Sequence, residues 1–177
     1  MIQRIQTIYL TLALICMSLL ILFPLFSVDA TSQGVQISGE MNSHGFAITE
    51  TPTLDENGMS FEKPEPIDLP IYLIFMSLAL ITAASIMLYK NRKRQLLFCR
   101  LNFILHLLLV ISFYAFYYLG QEALAKAMTE RAGESVDVAF NMEIGFYLLI
   151  PTIPFLYLAI RGIKNDEKLL KSIDRIR

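Results

Sequence analysis

The chain has 177 residues, 55% of them hydrophobic, and a formal net charge of −1. Its mean hydropathy is +0.52. Such a composition excludes an ordinary soluble domain and leaves no electrostatic case for nucleic acid, so no nucleic-acid partner is expected. The near-zero net charge hides a strong segregation. Arg4, residues 90–100 and residues 161–177 hold 12 basic and three acidic residues, whereas residues 29–68 and 120–143 hold 13 acidic and three basic ones.

In chain order, the first apolar run is 5–28, with Ile2, Ile5, Tyr9 and Leu12 at helical spacing. A run of about 20 apolar residues crosses a ~30 Å hydrocarbon core as a helix, so a first span over 5–28 is expected. Pro24 should bend or end it. A leader cleaved after Ala30 is the alternative reading, opposed by the single basic residue Arg4 and by the length of the run.

Residues 29–68 form the longest polar stretch. Val35-Gln36-Ile37 and Phe46-Ala47-Ile48 alternate around Asn42-Ser43-His44-Gly45, which predicts a β-hairpin with position 43 open to reagents. Residues 50–66 read as a loop. The second span is expected over 69–89, and Lys90-Asn91-Arg92-Lys93-Arg94-Gln95 then makes a short basic turn. The third span is expected over 101–119. Its helix is predicted to run on through Glu122 and Lys126 and to stop at Gly133. Val136, Val138 and Phe140 alternate and are predicted to add a strand to the hairpin. The fourth span, 144–160, contains Pro151 and Pro154, which free backbone carbonyls for neighbours. The tail 161–177 reads as an amphipathic helix with Leu169, Leu170, Ile173 and Ile176 on one face.

The predicted fold is therefore an all-α membrane protein. One domain, 1–177, holds a bundle of four transmembrane helices and a small external cap. The positive-inside rule puts both termini and the basic turn in the cytoplasm and the loops 29–68 and 120–143 outside.

Chemistry is scarce. His106 is the ionisable group inside a span, with Asn102 four residues earlier on the same helical face, and such groups are functional candidates by default. No carboxylate lies at its depth to complete a proton relay, so a structural hydrogen bond is the plainer reading. His44 and His106 are the only histidines, too few and too far apart for a multi-histidine metal site. Cys16 and Cys99 are read as two small buried apolar residues rather than a bridge. No catalytic residue, metal or cofactor is expected. The candidate interaction residues are Arg4, Arg92, Arg94, Asn102, His106, Pro151, Pro154, Asp166, Glu167, Asp174, Arg175 and Arg177. The acids of the tail suggest the pairs Glu167–Lys171 and Asp174–Arg177, or docking of the tail on the bundle or on a protein.

The opening Met1-Ile2-Gln3-Arg4-Ile5-Gln6-Thr7, the closing segment from Lys164 to Arg177, and Tyr89 to Gln95 between them resemble one family of small Bacteroidota membrane proteins with four spans. It is catalogued as domain of unknown function 4293. The resemblance implies a bacterial inner membrane, with the acidic loops as a periplasmic cap. It implies no activity. The layout is also similar to that of claudin-like proteins, but with no Trp at all the likeness stops at layout.

The function expected from this is a non-enzymatic accessory or scaffold subunit of an inner-membrane assembly, in envelope biogenesis or protein export, with membrane lipids and a protein as partners. The alternative is a carrier for lipid or another small hydrophobic molecule, with a cavity beside Asn102, His106 and the Pro151–Pro154 kink.

Overall fold

The computed structural model describes residues 5–32, 35–51, 67–132 and 137–174. In chain order these are α1 (Ile5–Leu19), β1 (Phe26–Ser32), β2 (Val35–Asn42), β3 (Gly45–Thr51), β4 (Ile67–Asp68), α2 (Tyr72–Met87), a 3-10 turn (Leu88–Lys90), α3 (Arg92–Ala132), β5 (Asp137–Met142) and α4 (Ile144–Asp174). The chain forms two compact units. One comprises Met1–Leu19, Leu73–Val110 and Leu148–Arg177; the other comprises Leu20–Tyr72 and Ile111–Tyr147.

The first unit is helical. Its core is an apolar cluster in which Leu10, Ala13 and Met17 of α1, Leu78 of α2, Cys99 of α3, and Leu156, Ala159, Ile160 and Ile163 of α4 are buried together. Spacings of three and four residues put each set on one face of its helix. Cys16 and Cys99 are both free thiols. The basic turn is tighter than a loop. Only Asn91 separates the 3-10 turn from α3; its amide donates to Leu88 O (2.9 Å) and its carbonyl accepts from Gln95 N (2.9 Å). Pro151 and Pro154 lie inside α4 without ending it, as prolines in membrane helices commonly do.

The second unit is built on an antiparallel sheet in the order β4-β3-β2-β1-β5. The predicted hairpin is β2–β3, paired from Gln36↔Thr51 to Asn42↔Gly45. The Asn42 carboxamide oxygen accepts from His44 N at 2.9 Å, an Asx turn. Gly45 has φ 142°, a conformation that glycine adopts freely and other residues do not. Position 43 differs from expectation. Ser43 is 0% exposed; its hydroxyl donates to Ile21 O (2.8 Å) and its carbonyl accepts from Tyr72 N (2.7 Å). His44 is the exposed member of the turn.

Two further differences follow from one event. The helix expected over 5–28 ends at Leu19, ahead of Pro24; residues 20–25 turn, and the last residues of the apolar run enter β1 at Phe26. β1 takes the centre of the sheet, with β2 on one side (Phe26↔Met41) and β5 on the other (Phe26↔Met142). The strand predicted around Val138 thus joins the sheet through β1 and not through the hairpin directly. Val136 lies outside the described residues. The predicted fold class therefore needs a five-stranded sheet where a hairpin was expected. The predicted long third helix is present, ending at Ala132.

The sheet has one apolar face. Phe26, Val28, Gly39, Met41 and Phe140 are buried on it, while Glu40, Ala47, Ala139 and Asn141 are exposed on the other, the two-residue period of a half-buried sheet. Phe26 is the hub of its packing. Its ring centroid lies 6.0 Å from Phe113 and Phe116, 6.1 Å from Tyr117, and 5.6 Å from Phe140 and Phe146. The start of α4 is fastened to the chain before β1. Gly145 N donates to Pro24 O (2.8 Å), Glu143 N donates to Leu25 O (3.0 Å), and the Ser27 hydroxyl donates to the Glu143 carboxylate (2.7 Å).

Candidate functional site

A set of polar residues in the helical unit, Thr82, Ser85, Gln95, Asn102, His106 and Thr152 among them, is buried. On α3, Gln95, Cys99, Asn102 and His106 are buried at spacings of four, three and four residues, while Leu97, Leu101, Ile104, Leu105 and Leu108 are exposed. A helix in water turns its apolar side inward; this one does the reverse. That is the arrangement of a helix whose solvent is hydrocarbon and whose polar groups have only other helices to bond.

Asn102 and His106, both 0% exposed, organise the site. The Asn102 amide Nδ2 donates to Thr82 Oγ1 of α2 at 2.6 Å, and that hydroxyl donates to Leu78 O at 2.9 Å. The sulfur of Met17 on α1 lies 3.3 Å from the same hydroxyl. His106 Nε2 is 3.0 Å from Leu149 O of α4. A carbonyl can only accept, so this ring nitrogen carries the proton, and Nδ1 is left as an acceptor. Asn102 Oδ1 and His106 Nδ1 have no partner among the described residues. The geometry joins α2, α3 and α4 through side-chain hydrogen bonds. It aligns no nucleophile, base and acid.

The other predicted site residues separate. Pro151 is half-buried and Pro154 exposed, both on α4, whose carbonyl at Leu149, just before Pro151, is the one that His106 engages. Arg92 is half-buried, with Nη1 unpaired among the described residues, and Arg94 is exposed. Asp166 and Glu167 are half-buried on α4. Arg4, Arg175 and Arg177 lie outside the described residues, as do the side chains of Lys171 and Asp174, so the expected ion pairs of the tail do too. Among the described residues no group of three or more His, Cys, Asp and Glu side chains could hold a metal ion.

Sequence reading missed Thr82, which looks like any hydroxyl in an apolar helix until its position opposite Asn102 is seen. It also missed Gln6 and Gln95, buried at 2% and 1% exposure; a polar residue at the edge of a span reads as interfacial. The heptad-like spacing from Gln95 to His106 was the available signal.

Three helices are long and apolar enough to cross a membrane: 72–90, 92–123 and 144–169, with mean hydropathy 2.0, 2.1 and 1.6. Together with the inward polar stripe, they define a mostly helical protein of the membrane-embedded class that carries a small antiparallel sheet. The chain belongs to the family described as Domain of unknown function (DUF4293), whose model matches residues 2–176. No curated protein matches it.

Proposed function

We propose that this is a non-enzymatic integral protein of a bacterial inner membrane, of Bacteroidota type, that serves as an accessory or scaffold subunit of a larger membrane assembly in envelope biogenesis or protein export. The observation that carries the reading is the use made of the polar groups inside the helices. Thr82, Asn102 and His106 bond neighbouring helices and backbone, which fits a structural part better than a catalyst.

In this reading α1 is the fourth span. Its 15 residues rise about 22 Å at 1.5 Å each, a mismatch that a bilayer accommodates by thinning. Charge segregation supports an orientation with both termini and the basic turn in the cytoplasm and the sheet in the periplasm. In a variant whose Cys16 and Cys99 are replaced by Ala, a cysteine at His44 is expected to react with impermeant maleimide on intact spheroplasts. One at Asn91 is expected to react only after permeabilisation. Labelling of position 91 from outside would reverse the topology.

The scaffold role is tested by purifying the chain in gentle detergent and weighing the particle. The expected result is a second protein at fixed stoichiometry beside the 20.2 kDa chain. A chain that carries only lipid, inside the bundle, would support the carrier reading instead.

A further inference from the structure

Between α1 and α4 lies a cavity of about 370 Å³ whose lining includes Ile5, Gln6, Arg161, Gly162, Asn165 and Asp166. That volume lies within the range of small-ligand clefts, about 300–1,000 Å³. Its floor is Gln6. A Cβ on Gly162 would stand 3.2 Å from Gln6 Cβ, so the lack of a side chain at 162 lets the two helices meet closely there. Gln6 is 2% exposed, and its Oε1 is buried without a hydrogen-bond donor among the described residues. A buried amide oxygen in this state calls for an N–H or O–H. At the rim, Arg161 and Asn165 are exposed and Asp166 is half-buried. The guanidinium and the carboxylate line one cavity, and among the described residues neither has an ion-pair partner. Leading away from the cavity, Ile5, Ile8, Leu12 and Ile15 are all exposed at helical spacing on α1.

We propose that this cavity binds the headgroup of an amine-bearing zwitterionic phospholipid of the phosphatidylethanolamine class. The phosphodiester matches the fork of Arg161, which pairs with phosphate through two parallel N–H donors. The primary ammonium supplies the opposite charge for Asp166 and the N–H that Gln6 Oε1 lacks. The acyl chains follow the exposed apolar stripe of α1. A purely anionic ligand leaves Asp166 unmatched and repelled, and a quaternary amine offers Gln6 no hydrogen. The inference rests on the membrane reading above but not on the scaffold role.

The test is native mass spectrometry of the full chain in detergent, titrated separately with phosphatidylethanolamine, phosphatidylcholine, phosphatidylglycerol and soluble glycerophosphoethanolamine. One phosphatidylethanolamine per chain is expected, bound roughly tenfold or more tightly than each of the other three, because phosphatidylcholine and phosphatidylglycerol lose the charge-assisted hydrogen bond of the primary ammonium and glycerophosphoethanolamine loses the apolar burial of the acyl chains. Arg161→Gln and Asp166→Asn, both at the rim of the cavity, should each remove most of that preference while the chain still purifies as a folded species. Equal binding of all three lipids, or wild-type selectivity in both variants, would overturn the proposal. So would equal affinity for glycerophosphoethanolamine, which would make the ligand a free metabolite and not a lipid. Each of these results leaves the stoichiometry of any protein partner unaffected, so the two readings fail separately.

Discussion

Phe26→Ala is expected to cost about 3–5 kcal/mol, the range for deleting a fully buried aromatic side chain. Phe26 is 0% exposed and meets five aromatic rings within 6.1 Å. Those rings belong to α3, β5 and α4, so the cavity left behind opens between elements far apart in sequence. The loss is larger than area alone implies, because each aromatic pair adds roughly 0.5–1.5 kcal/mol. Limited proteolysis in detergent should show cleavage between residues 20 and 51 at temperatures where the parent chain resists. A variant as resistant as the parent would mean that the sheet does not depend on this hub.

Gly145→Val should have a comparable effect by the opposite route. A Cβ at this position would lie 2.5 Å from Pro24 O and 3.0 Å from Phe23 O. Both are backbone atoms, and Gly145 N already donates to Pro24 O, so neither side can turn away. Overpacking of this kind costs typically ~1–3 kcal/mol and more where backbone must shift. That exceeds the ~1 kcal/mol that a glycine in a helix ordinarily forfeits against alanine, so even Gly145→Ala should destabilise. The measurement is the midpoint of thermal aggregation in detergent. An unchanged or raised midpoint for Ala would show that the contact is looser than drawn.

Much of the helical part was legible in the sequence because hydrocarbon imposes a simple rule. Long charge-free runs become helices, and α2, α3 and α4 follow them. The extension of α3 to Ala132 was legible in the Glu122–Lys126 spacing, and the β2–β3 turn in the Asn42–Gly45 chemistry. The end of α1 was not legible. Hydropathy is continuous from residue 5 to residue 28, and a short apolar run reads alike as strand or helix. What decides is remote: Met41 O accepts Leu25 N, and Gly145 N reaches Pro24 O. The site was half legible. Asn102 and His106 stood out as polar groups at helical spacing in an apolar span. Their partners, Thr82 and the Leu149 carbonyl, are properties of packing, and a carbonyl leaves no mark in a sequence. Gln6 was hidden for the same reason, since its burial depends on Gly162 across the helix interface.

If the polar side chains within the helices are structural, His106→Gln should be tolerated in a deletion strain. A glutamine amide can donate to Leu149 O as the imidazole does. Hydrogen bonds between helices in a membrane average only ~0.6 kcal/mol, so the fold should survive. The expected result is a normally inserted protein that complements the deletion as the parent does. A variant that inserts and folds like the parent but fails to complement would assign His106 a chemical role and not a structural one.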